Sequence, residues 1–183
     1  MKKNVSFREW LIIAAVAGFK LDEGKADKPS HIGKVKTMDN FDEVPFGVIV
    51  DLSSLPSDGT EIYRVVEITT GMTRKEVQKA KATEVVRYAV WVTEQLQKVN
   101  KLFSRLRTTP TAMELQAGID RLNFGIFGVV DEYARRMGIT DHEEVMKTPW
   151  TVVYKCLEMD FQKNQFERRY AKIMEKNIRS KSK

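Results

Sequence analysis

Apolar side chains recur at helical intervals through most of this chain, in blocks punctuated by glycine, proline and capping residues. From Val77 through Ala80, Val85, Tyr88, Val92, Leu96, Val99 and Phe103 to Leu106 the interval is three to five residues, which marks one buried helical face. Lys79, Lys81, Glu84, Arg87, Glu94 and Lys98 fall between them and form the solvated face. Thr73 and Glu76 have the spacing of a capping box, and Thr109-Pro110 stops the pattern. These signals predict one helix from about Thr73 to Leu106, roughly 50 Å long at 1.5 Å per residue and the longest in the chain.

The next block, Thr111 to Ile173, has several helix starts and stops and an uninterrupted supply of core residues, and predicts a packed helical block. Thr111 and Glu114 repeat the capping-box spacing, and Met113, Ala117, Ile119 and Leu122 follow it. Gly118, Gly125 and Gly128 argue against one straight helix, since each costs about 1 kcal/mol against alanine, and they predict a break near Phe124 to Gly128. Val129 to Met137 reads as helix, with Gly138 in position for a left-handed C-terminal residue. Thr140 and Glu143 open a short helix through Met146. Thr148 caps a long last helix whose first residue is Pro149.

The N-terminal third is less regular. Phe46 to Pro56 is a short β-branched run bracketed by Pro45 and a Ser-Ser turn, and predicts a strand. Asp58-Gly59 makes a turn, and Glu61 to Ile68 fits either a helix or a second strand, with the helical face slightly favoured. Lys20 to Asn40 reads as a mobile linker. Ser6 to Phe19 reads as a helix that is apolar all round between Trp10 and Ala17, so it needs cover on more than one side. Met1-Lys2-Lys3 before that run imitates a secretion signal, but Arg8, Glu9 and the lack of a small-residue cleavage site argue against one. The run is also about half of the roughly 20 residues that span a bilayer, so no membrane contact is expected. The predicted fold is mainly α: a helical bundle with a long central helix and a small strand or hairpin element near residues 46–68. Residues 1–40 form an apolar helix and polar linker, and 41–183 a helical core domain with a basic tail.

Composition supports a packed core, with 42% hydrophobic and 9% aromatic residues in 183. The single cysteine, Cys156, cannot form an internal disulfide and sits among Val153 and Leu157 as a small core residue. Charge is unevenly placed: Lys163 to Lys183 holds eight basic and two acidic residues, a net of +6 that equals the net charge of the whole chain. The pI near 9.3 therefore belongs to the C-terminal end. Such an end suits the helix dipole. It also offers Arg168, Arg169, Lys172, Lys176 and Arg179 as non-specific phosphate contacts, with Phe166 and Tyr170 interleaved. The favoured reading of Phe166, Tyr170 and Ile173 is an apolar stripe docked on the core.

Residues for small-molecule chemistry are sparse. Two histidines, His31 and His142, and one cysteine do not make a zinc cluster. His142-Glu143-Glu144 lacks the second histidine of a zinc-protease helix, and neither a phosphate loop nor a nucleophile elbow is present. Asp131 and Asp160 lie among apolar residues, where the favoured reading is capping or ion pairing and the alternative a half-buried functional acid. No catalytic, cofactor or metal residue is assigned.

Certain segments resemble phage proteins. A small strand and the Leu-x-x-Leu-Pro turn at Leu52 to Pro56, followed by a helix pair split by Gly71-Met72-Thr73, resemble the layout of small tail assembly proteins of long-tailed bacteriophages. Ala117-Gly118-Ile119-Asp120, Phe124-Gly125, Gly138-Ile139, Pro149-Trp150 and the ending from Phe166 to Ile173 resemble virion-module proteins of phages that infect gut bacteria. The first resemblance implies a non-enzymatic tail assembly chaperone in the host cytoplasm. It would bind tape-measure and tube proteins through helical surfaces. The candidate surfaces are Trp10, Leu11, Ile12, Val16 and Phe19, and the methionines Met137, Met146, Met159 and Met174, whose side chains adapt to varied partners. The alternative is a virion structural or nucleic-acid-associated protein contacting phosphate through its basic C-terminal helix. Either is compatible with an oligomer.

Overall fold

The computed structural model describes residues 6–8, 27–56 and 60–181. Two short strands, β1 (His31–Ile32) and β2 (Val35–Lys36), pair antiparallel about Gly33, whose φ of 60° suits the turn. Helices follow: α1 (Phe46–Ser53), α2 (Glu61–Thr70), α3 (Arg74–Lys79), α4 (Ala82–Ser104), α5 (Ala112–Gln116), a 3-10 turn (Ile119–Arg121), α6 (Gly125–Met137), α7 (His142–Lys147) and α8 (Trp150–Lys181). The fold is mainly helical with one small antiparallel hairpin, as expected, but the hairpin lies at 31–36 and not at 46–68.

Two local causes explain that shift. Phe46, Ile49 and Leu52, at intervals of three, are the buried residues of α1. Alternation would instead have buried Phe46, Val48 and Val50 together; packing on one helical face overrides the β-branched propensity of Val48, Ile49 and Val50. The predicted linker, meanwhile, is tied down from residue 27 onward. Thr37 Oγ1 donates to the Pro29 carbonyl at 2.6 Å, Lys28 Nζ to the Met38 carbonyl at 2.7 Å, and the Gly33 amide to Glu84 of α4 at 2.9 Å. Ile32 and Thr37 are buried in consequence. The Glu61 segment resolves as helix, ended by Gly71 at φ 71°.

The helix predicted from Thr73 to Leu106 is two helices. The Thr73–Glu76 capping box opens α3 as expected, but Ala80 and Lys81 are extended, and α4 restarts at Ala82. The N-terminal segment is responsible: the Phe7 amide donates to the Ala80 carbonyl at 2.9 Å, and Ser6 bridges to Lys81. Phe7 is itself fully buried, edge-on to Tyr63 at 4.8 Å. Apolar periodicity survives the break because α4 buries Val85, Tyr88, Ala89 and Val92 on the side that meets α2 and the hairpin. The longest helix is α8, with 32 residues.

A second set of contacts fastens α1 to the start of α8. The Phe46 amide donates to the Thr148 carbonyl at 2.8 Å, and the Trp150 amide to the Val44 carbonyl at 3.0 Å. The Trp150 indole donates to the Phe41 carbonyl at 2.8 Å. Trp150, Val153, Val145 and Phe46 are buried around this junction, each contributing about 1.5–3 kcal/mol by removal from water. The core thus gathers residues 27–104 and 130–157 on a common centre, and leaves the intervening segment outside it.

Candidate interaction surface

That intervening segment departs from the packed block its sequence predicts. Thr111 caps α5, receiving the Glu114 amide at 3.2 Å while Glu114 accepts from the Thr111 amide at 2.8 Å. The helix ends after five residues, and Gly118 at φ 85° turns the chain into the 3-10 turn. Neither element buries a residue. Gly125, at φ 54°, starts α6 at the expected break. Leu122 is 59% exposed, Phe124 69% and Phe127 61%. Three glycines within eleven positions and apolar residues at consecutive places, Phe124-Gly125-Ile126-Phe127, prevent any single helical face from burying them.

Between this segment and the body runs an open groove of about 1030 Å³. Its floor comes from Phe46 and Ile49 of α1, Phe103 of α4, and Leu157 and Phe161 of α8; its rim is Leu122, Phe124 and Ile126. Asp120 and Glu132 bring carboxylates to it and Arg107 a guanidinium. Neither carboxylate forms an ion pair among the described residues. Gly128 permits the rim: a Cβ there would lie 2.8 Å from the Phe124 Cβ. The segment is clamped to α8 where Arg168 donates to Glu114 at 2.8 Å. Hydrogen bonds from the Thr111 backbone and hydroxyl, followed by Arg168, hold the Glu114 carboxyl below the usual glutamate range.

Past the clamp, α8 leaves the body. Every residue from 169 to 180 is exposed, and Phe166, Tyr170 and Ile173 are 59%, 56% and 57% exposed. The stripe is therefore not docked on the core, because it points away from the face bearing Val153, Leu157 and Phe161. Phe166 and Tyr170 stack on each other with centroids 6.1 Å apart. Of the five cations expected to meet phosphate, Arg168 is committed to Glu114 and Arg179 to Glu175 at 2.6 Å. Arg169, Lys172 and Lys176, at i, i+3 and i+7 on one face, form no ion pair among the described residues.

The other candidates disperse. Trp10, Leu11, Ile12, Val16 and Phe19 lie outside the described residues. Met137, Met159 and Met174 are exposed, while Met146 packs against the core. Asp131 pairs with Arg135 and lies 3.8 Å from His142, and Asp160 pairs with Arg136, so these acids stand in ion pairs and do not converge. The short helix α7 is capped by Asp141, whose carboxylate accepts from the Glu143 amide at 2.9 Å, one position later than Thr140. No group of three metal-ligating side chains occurs among the described residues, and none of their helices is long and apolar enough to cross a membrane.

No family model, curated protein or solved structure matches the chain. The geometry itself is then the guide. An apolar groove with a few carboxylates, beside a projecting helix with an apolar stripe and a row of cations, is suited to holding another helix or chain.

Proposed function

We propose that this chain is a non-enzymatic assembly factor of a bacteriophage. It binds the tape-measure or tube proteins of the tail through its helical surfaces and keeps their apolar helices soluble in the host cytoplasm before assembly. The observation that supports this reading is the groove rimmed by Leu122, Phe124 and Ile126, whose exposure has no use inside the molecule. A groove of this kind takes the apolar face of an amphipathic helix. The phage context rests on the sequence resemblance alone. Co-expression with a helical tape-measure fragment tests it: a soluble complex with the unmodified chain, lost on Leu122→Glu/Phe124→Glu, supports it. An insoluble fragment in both cases contradicts it.

One observation favours a second reading, a virion structural or nucleic-acid-associated protein. Arg169, Lys172 and Lys176 face solvent together without carboxylate partners among the described residues. Three phosphate contacts would give a slope of about −2.7 for log affinity against log salt on duplex DNA. Triple replacement by alanine abolishes such binding if this reading holds.

A further inference from the structure

We infer that the groove receives the C-terminal helix of a second copy of this chain. The two surfaces complement each other in apolarity and in charge. The groove rim exposes Leu122, Phe124 and Ile126, and α8 exposes Phe166, Tyr170 and Ile173 at i, i+4 and i+7. Among the described residues, the groove holds Asp120 and Glu132 outside any ion pair, with Arg107 as its one cation. Beside the apolar stripe of α8 run Arg169, Lys172 and Lys176, likewise outside any ion pair among the described residues. At roughly 100° per residue these cations sit on the flank of the stripe, where they meet carboxylates once the stripe is buried.

One molecule cannot satisfy itself. Leu157 and Phe161 of α8 already form a wall of its own groove, and α8 continues without interruption to Lys181. The stripe is thereby carried away from the groove that Leu157 and Phe161 line. Residues 169–180 extend roughly 18 Å beyond the clamp, with every residue exposed. Charge distribution favours the same occupant: all of the net +6 lies from Lys163 onward, and the remainder of the chain sums to zero. The body of a neighbour therefore does not repel the helix.

Because helix and groove are different surfaces, the contact either closes reciprocally in a two-fold dimer or runs head-to-tail into a ring or an open filament. This inference does not depend on the phage reading. Sedimentation velocity of the full chain over a wide concentration range tests it, with Phe166→Glu blocking the helix and Phe124→Glu blocking the groove. The unmodified chain forms dimers or larger species. Each variant alone sediments as a monomer, and an equimolar mixture gives a heterodimer and nothing larger, because one intact helix and one intact groove remain. Were either variant to lose its fold by circular dichroism, Lys172→Glu/Lys176→Glu mixed with Asp120→Lys/Glu132→Lys replaces it, and only the mixture associates. A monomer at every concentration overturns the inference. So does self-association that survives Phe124→Glu, which would assign the contact to pairing of two α8 helices.

Discussion

Tyr88 sits fully buried on α4, stacked on Trp91 at 5.9 Å. Its hydroxyl is buried without a hydrogen bond of normal geometry among the described residues. Burial pushes its pKa up, only partly opposed by the Thr69 hydroxyl and the Met38 backbone nearby. Removing an unsatisfied buried hydroxyl relieves a desolvation cost of about 1–3 kcal/mol. Tyr88→Phe is therefore expected to leave thermal unfolding unchanged or to raise its midpoint by about 2–4 °C; a clear fall would show that the hydroxyl is bonded. At Gly128 the balance runs the other way. Alanine gains about 1 kcal/mol in helix propensity, but its Cβ displaces the chain at Phe124, which costs about 1–3 kcal/mol. Gly128→Ala is thus expected to destabilise by about 1 kcal/mol in denaturant titration, and stabilisation would mean that Phe124 gives way freely. Residue identities made Tyr88 legible as core from its helical interval. Nothing in sequence distinguished Phe124 from a core phenylalanine, because exposure depends on which face the neighbouring glycines leave for it.

Elements whose ends carry specific chemistry were the most legible. The boxes at Thr73–Glu76 and Thr111–Glu114, and the left-handed Gly71 and Gly138, stand where the sequence places them. Long-range backbone pairing was not legible, since nothing near Ala80 announces that Phe7 will take its carbonyl. The region 46–53 misled for a related reason: its β-branched run is locally strand-like, and only the packing of α1 on α7 and α8 decides for helix. The boxes also set a pH response. In Glu76 the Thr73 hydroxyl, then its amide, depress the carboxyl pKa, and in Glu114 the Thr111 backbone does so first. A folded pKa below the unfolded one stabilises above about pH 4.3, and that contribution is lost as pH falls through the folded value. Carboxyl carbon titration by NMR should place both midpoints below the free glutamate value. Thr73→Ala, which removes the first of the two donors to Glu76, should move Glu76 back up and leave Glu114 alone; no movement would contradict the box as the cause.

At the scale of the molecule, the chain divides into a body that is satisfied and a periphery that is not. Residues 27–104 and 130–157 bury their apolar faces in one another, while 113–127 and the end of α8 expose theirs. Sequence showed the helical class and the basic end of the chain, because periodicity and charge are local properties. The groove lay beyond its reach, since Phe46, Phe103, Leu122 and Phe161 come together only through the fold. The central claim is that this unsatisfied periphery is where another macromolecule binds. Amide hydrogen exchange of the chain, diluted until it sediments as a monomer, with and without a co-expressed helical tape-measure fragment tests it most directly. Protection gained at 119–127 and along 157–178, with the body unchanged, is the expected result; a stable complex that protects neither segment would contradict it.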